Sequence, residues 1–132
     1  MWNAAKASRL FIHGSLCDYR YWKAQILLLS RQFRCIAPSL SHYWPAVDAF
    51  VRSEFGWEAH VAEMAEFMEA MDIASAHLVG HSRGGCVAFH LAREYPRLVK
   101  TLTLADPGGS FAIDGTRCLA ACHEYFARAW QL

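Results

Sequence analysis

The chain has 132 residues, 55% apolar and 19% charged, with a formal net charge of +1. That composition fits one globular domain with a core of its own and leaves no strong field for a nucleic acid or an anionic membrane surface. The longest apolar runs, such as ILLLS and TLTLA, are too short to span a bilayer, and the opening MWNAAKASRL lacks the apolar centre of a secretory signal, so a soluble cytoplasmic protein is expected.

Along the chain, short apolar runs alternate with segments of helical period. RLFIH (9–13) reads as a buried strand running into a loop at His13 and Gly14. Tyr19, Trp22, Ile26 and Leu29 recur at three- and four-residue steps, which predicts an amphipathic helix over 18–31 with Asp18 at its start. FRCIAPS (33–39) supplies a second strand, stopped by Pro38. Residues 39–55 show no period and contain Pro45, so a long surface loop is expected there.

From 56 to 71 the positions Trp57, Val61, Met64, Met68 and Met71 keep helical spacing, with the methionines as core filler. AHLVG (76–80) is a third strand, residues 83–95 a helix halted by Pro96, and KTLTLAD (100–106) a fourth strand. PGGSFAIDG is a turn-rich break, and 116–132 reads as a final helix. Strands separated by helices imply βαβ units: an α/β fold with a parallel sheet, right-handed crossovers and helices on its faces.

The segment HLVGHSRGG (77–85) holds Ser82 between Gly80 and Gly84 where the third strand turns directly into a helix. So sharp a turn strains the serine backbone and leaves no room for side chains two positions away, which the glycines satisfy. It lifts a hydroxyl clear of the strand tip, where the first unbonded N–H groups of the next helix favour an oxyanion. Arg83 offers one such amide. Ser15, after Gly14 in HGSLC, offers a second from a neighbouring loop. The chemistry this predicts is attack of Ser82 on a carbonyl carbon. No dinucleotide or P-loop glycine motif competes with it.

LFIHGSLCDYRYW, RCIAPSL, HLVGHSRGG and TLTLADPG follow one another as in the α/β-hydrolase superfamily. The chain resembles its esterase, lipase and haloperoxidase-like branch over essentially its whole length. The resemblance implies a cofactor-free serine hydrolase, with Ser82 as nucleophile at the elbow glycines Gly80 and Gly84, and Ser15 and Arg83 as oxyanion amides. It also implies that the four strands are the middle of a larger sheet, in the spatial order second, first, third, fourth. The chain then reads as a single partial domain over 1–132, truncated at both margins, with 107–132 as the start of a lid or cap segment. Small ester or related acyl compounds are the expected substrates.

In that superfamily the order is serine, acid, histidine. Asp106 closes the fourth strand at the same edge as Ser82 and is a candidate acid, beside the plainer reading as a local turn cap. After Ser82 only His90 and His123 remain as bases. His90 is expected well down the helix and His123 in the last helix, both as surface or core-edge residues, so the base is unassigned. His13 and His81 read as packing or loop-ordering residues. Tyr19, Trp22, Tyr43 and Trp44 are candidate linings for an apolar acyl pocket.

The five cysteines are scattered, and Cys118 and Cys122, four apart, lack further ligands, so buried free thiols and no metal are expected. The outer strands FRCIA and TLTLA would be open edges that invite a second copy or a complementing chain. A non-catalytic binding module on the same fold is the rival from another class. Carbon–carbon cleavage and perhydrolysis are rivals within the superfamily.

Overall fold

The computed structural model describes residues 6–45 and 56–108. The four expected strands are β1 (Ser8–Ile12), β2 (Arg34–Ile36), β3 (Ala76–Ser82) and β4 (Val99–Pro107). Helices α1 (Lys23–Leu29), α2 (Trp57–Ala70) and α3 (Arg83–Glu94) lie between them. Every strand pair is parallel and the order is β2-β1-β3-β4. This is the central block of an α/β-hydrolase-like sheet. The final helix expected over 116–132, the lid segment from 109 on, Cys118, Cys122 and His123 lie outside the described residues.

The alternation of side chains along β1 sets the two faces. Leu10 and Ile12 join Leu78 of β3 and Val61, Met64, Met68, Val87 and Leu91 of α2 and α3 in one buried cluster. Phe11, on the opposite face and equally buried, meets the Trp22 ring at 5.3 Å. β1 is thus buried on both faces over residues 10–12, where the sequence runs apolar without a break, whereas β3 alternates buried and half-buried positions. Leu78→Ala, in the middle of this cluster, is expected to cost about 3 kcal/mol through lost transfer energy and a residual cavity; the urea midpoint would show it.

The segment expected as a helix over 18–31 divides in two. The Asp18 carboxylate accepts from the backbone N–H of Arg20 at 2.8 Å and from its guanidinium at 2.9 and 2.7 Å. This cap holds Tyr19–Trp22 in a 3-10 turn, and only then does α1 begin. The apolar face of α1 is poorly covered among the described residues, with Leu27 and Leu28 67% and 78% exposed.

β2 is shorter than its apolar run and β3 is longer, reaching Ser82 itself. Among the described residues β2 and β4 form the outer edges of the sheet. None of the described helices is long and apolar enough to cross a membrane.

Candidate active site

β3 ends at Ser82 and α3 starts at the next residue, so strand and helix share no linker. Ser82 has φ 50° and ψ −121°, a conformation that L-residues seldom adopt. The flanking glycines are required by contact. A Cβ at Gly84 would overlap the carbonyl oxygens of Ile12 and His13 at the tip of β1. One at Gly80 would overlap the Gly84 carbonyl and come within 2.7 Å of Gly85 Cα. Large residues are excluded at both positions, as the motif requires.

The half-buried Ser82 side chain lies between two more glycines, one from each flanking strand. A Cβ at Gly14, after β1, would come within 2.9 Å of Ser82 Cβ, and one at Gly108, after β4, within 3.1 Å of Ser82 Oγ. The Gly108 N–H donates to the Ser82 carbonyl at 3.0 Å. Ser15, next to Gly14, is exposed, and its hydroxyl faces that of Tyr43 at 3.5 Å. Arg83 is the first residue of α3, so its N–H has no acceptor within the helix. Three strand tips therefore bring Ser82, Ser15, Arg83 and Gly108 to one edge of the sheet. A hydroxyl held there beside the first turn of a helix has the layout that acyl transfer uses.

Asp106 reaches the same edge by a slip in strand pairing. Ala105 pairs with His81 and Pro107 with Ser82, which leaves Asp106 as the extra residue of a bulge. It is exposed, with φ 47°. Among the described residues it makes no hydrogen bond or ion pair.

No described histidine hydrogen-bonds to Ser82 Oγ. His90 is a correction: it is fully buried in α3 and stacked on the Trp57 ring at 3.8 Å, not at the surface or core edge. Its side chain follows Val87 and Leu91 into the core, three residues after the first and one before the second. His81 stacks on Tyr21 at 4.6 Å, as a packing residue should. Of the four aromatics expected to line a pocket, Trp22 and Tyr43 are buried. Tyr19 and Trp44 remain open to solvent and stack on each other at 5.8 Å. A groove of about 560 Å³, lined in part by Glu66, Glu69, Ile73, Tyr95 and Leu98, lies beside the start of β3, at the far end of that strand from Ser82.

Buried polar groups surround the elbow. His13 is fully buried; its Nδ1–H donates to the Gly14 carbonyl at 2.8 Å, which leaves Nε2 to accept the Leu40 N–H at 3.0 Å. His60 of α2 takes the opposite arrangement. Its Nε2–H donates to the Ser41 carbonyl at 3.1 Å, and Nδ1 accepts from Arg83 Nε at 3.4 Å. Burial, then the Arg83 charge, pushes the His60 pKa down to about 4, and burial lowers that of His13. Glu63 accepts from the Ser41 N–H at 3.0 Å and its hydroxyl at 3.0 Å, while burial raises its carboxyl pKa. Asp18 is held at about 2 by its hydrogen bond to Arg20.

His60, Glu63 and Gly108 were not among the residues that the sequence marks as functional. His60 had a signal: it falls between Trp57 and Met64 on the apolar stripe of α2, where a polar side chain must find partners inside.

Comparison with known proteins agrees with this geometry. The family described as having the alpha/beta hydrolase fold matches residues 10–125. An uncharacterised Mycobacterium tuberculosis protein is 32% identical over 100 residues, 76% of this chain and 29% of its own length. A haloalkane dehalogenase of Bradyrhizobium diazoefficiens is 31% identical over 97 residues, 74% of this chain and 31% of the enzyme. A solved thermophilic esterase from Thermogutta terrifontis superimposes with a TM-score of 0.72 at 30% identity, over 79% of this chain and 38% of that one. The chain thus spans about a third of the length of the relatives it matches. With the parallel order β2-β1-β3-β4, the strained serine between β3 and α3 and a family match over most of its residues, the chain belongs to the alpha/beta hydrolase family.

Proposed function

We propose that the chain carries the nucleophile and oxyanion half of a cofactor-free serine hydrolase acting on small ester or related acyl substrates. One observation carries the reading: Ser82 stands at the strained junction of β3 and α3 with its side chain held between Gly14 and Gly108. Ser82 Oγ bonds to the carbonyl carbon and gives its proton to solvent water, which later returns one to the leaving alcohol, while the carbonyl π pair moves onto oxygen. The N–H groups of Ser15 and Arg83 receive that oxyanion. Collapse re-forms the carbonyl, breaks the bond to the leaving alcohol, which takes up a proton, and leaves an acyl-serine for water to hydrolyse. Asp106, exposed at the same edge, is the acid of this reading.

The esterase among the solved structures supports ester chemistry. The dehalogenase relative points elsewhere, but displacing halide from a saturated carbon forms no oxyanion and would leave the two amides without a task. Free thiols at Cys17, Cys35 and Cys86 support a reducing, cytoplasmic setting. The outer edge of β4 is the place where a second copy or a complementing chain would pair.

A fluorophosphonate probe tests the nucleophile. Slow but saturable labelling of the chain is expected, abolished in Ser82→Ala. Equal labelling of both proteins would place the reactive group elsewhere. No label at all would favour the second reading, a binding module, which draws support from the lack of a described histidine on Ser82.

A further inference from the structure

We propose that His60 is a positioning residue for the oxyanion amides, acting through the dipeptide Leu40–Ser41. The inference rests on the reading that Ser15 and Arg83 receive the oxyanion.

Two hydrogen-bond chains converge on that dipeptide. From the first loop, the Gly14 carbonyl accepts from His13 Nδ1–H and His13 Nε2 accepts from the Leu40 N–H. From the elbow, Arg83 Nε–H donates to His60 Nδ1 and His60 Nε2–H donates to the Ser41 carbonyl. Glu63 of α2 fixes the same residue by accepting from both the N–H and the hydroxyl of Ser41. The segment after β2 is therefore a common anchor for the loop bearing Ser15 and the helix start bearing Arg83. The two hydrogen-bond chains thus tie the Gly14 carbonyl and the Arg83 side chain to adjacent residues, Leu40 and Ser41.

Each imidazole uses one nitrogen as donor and the other as acceptor, so the relay works only with both rings neutral. A proton on His60 Nδ1 would face the Arg83 N–H, donor against donor. Among the described residues, the charged and titratable neighbours of His60 include Arg83 of α3, His42 with its ring centroid at 5.7 Å, His13 at the end of β1, and Glu63 one turn along α2 through Ser41. Burial and the Arg83 charge both hold the ring neutral at ordinary pH. A histidine that only filled space would have no need of a defined acceptor after β2 and a defined donor at the start of α3.

The test compares fluorophosphonate labelling rates of the whole chain and variants at pH 7.5, with Ser82→Ala as the background. His60→Phe, which keeps a ring but no polar atoms, is expected to label at least tenfold more slowly. His60→Gln, whose amide can both donate to Ser41 and accept from Arg83, is expected to recover to within threefold of the parent. Arg83→Met retains the backbone N–H, so it reads the relay even where His60→Phe does not fold. It should slow labelling as His60→Phe does, with no further loss in the double variant. By long-range ¹H–¹⁵N correlation, His60 should carry its proton on Nε2 and titrate at a higher pH in Arg83→Met.

Parent-like rates in both Arg83→Met and His60→Phe, or in Arg83→Met alone where the other does not fold, would overturn the positioning role and leave the Ser82 reading intact. Failure of the parent to label beyond Ser82→Ala would remove the reading itself and this inference with it.

Discussion

Gly84→Ala is expected to unfold the chain or to lower its stability by at least about 3 kcal/mol, although alanine is the better helix former by about 1 kcal/mol. The two effects oppose each other and the steric one wins. The added Cβ would sit inside contact distance of two backbone carbonyls, those of Ile12 and His13, and neither can swing away as the end of a side chain could. Relief requires α3 to move off the tip of β1, which also parts Ser82 from Gly14. A loss of that size is a large share of the 5–15 kcal/mol available to a domain.

Gly56→Ala is the control, since a Cβ there meets chiefly the flexible carboxylate end of Glu58. Its cost should stay near 1 kcal/mol, the usual penalty for alanine at a helix N-cap. Urea midpoints of the two variants measure the contrast. If Gly84→Ala is as stable as Gly56→Ala, α3 does not abut β1 and the serine is not held where it has been described.

The same contact explains what could be read in the sequence and what could not. The junction at Ser82 is local: an apolar strand, a serine with small neighbours and a helix follow within twenty residues, and the pattern dictates the strained φ. The order β2-β1-β3-β4 is not local, because apolar runs of similar composition do not say which lies beside which. Family resemblance supplied it. The bulge at Asp106 depends on how β4 slides along β3, and no residue type near Asp106 encodes the register that pairs Ala105 with His81 and Pro107 with Ser82.

His90 was misplaced because its distance along the helix was weighed and its face was not. Its neighbours Val87 and Leu91 belong to the buried stripe, and Trp57 from α2 covers it. The split of the 18–31 segment turned on Asp18, whose competition for the Arg20 amide favours a tight first turn over a full helix.

Acid is expected to weaken the fold before most of its carboxylates are protonated. His60 binds a proton at about 6.5 in an unfolded chain and only near 4 when folded. Between those values the unfolded chain takes up a proton that the native state refuses, so stability falls as pH drops from 6.5 to 4 and this contribution then levels off. A shift of that size corresponds to roughly 3 kcal/mol at full effect, of which about 2 should survive solvent relaxation around the site. His13, also lowered by burial, adds to the loss.

Glu63 works the other way. Its carboxyl is raised by burial, so the folded chain takes up that proton above the ordinary value of 4.5, and the penalty of holding it ionised is relieved as pH falls. Asp18, depressed to about 2, loses its contribution only below 3.8, and the exposure of its partner Arg20 to solvent keeps that loss small. The net expectation is a urea midpoint that drops steadily between pH 6.5 and 4. His60→Gln, which keeps the hydrogen bonds but cannot titrate, should flatten most of that slope. A parent midpoint unchanged across the window would mean that His60 is not neutral in the core, and the Ser41 and Arg83 contacts assigned to its two nitrogens would have to be redrawn.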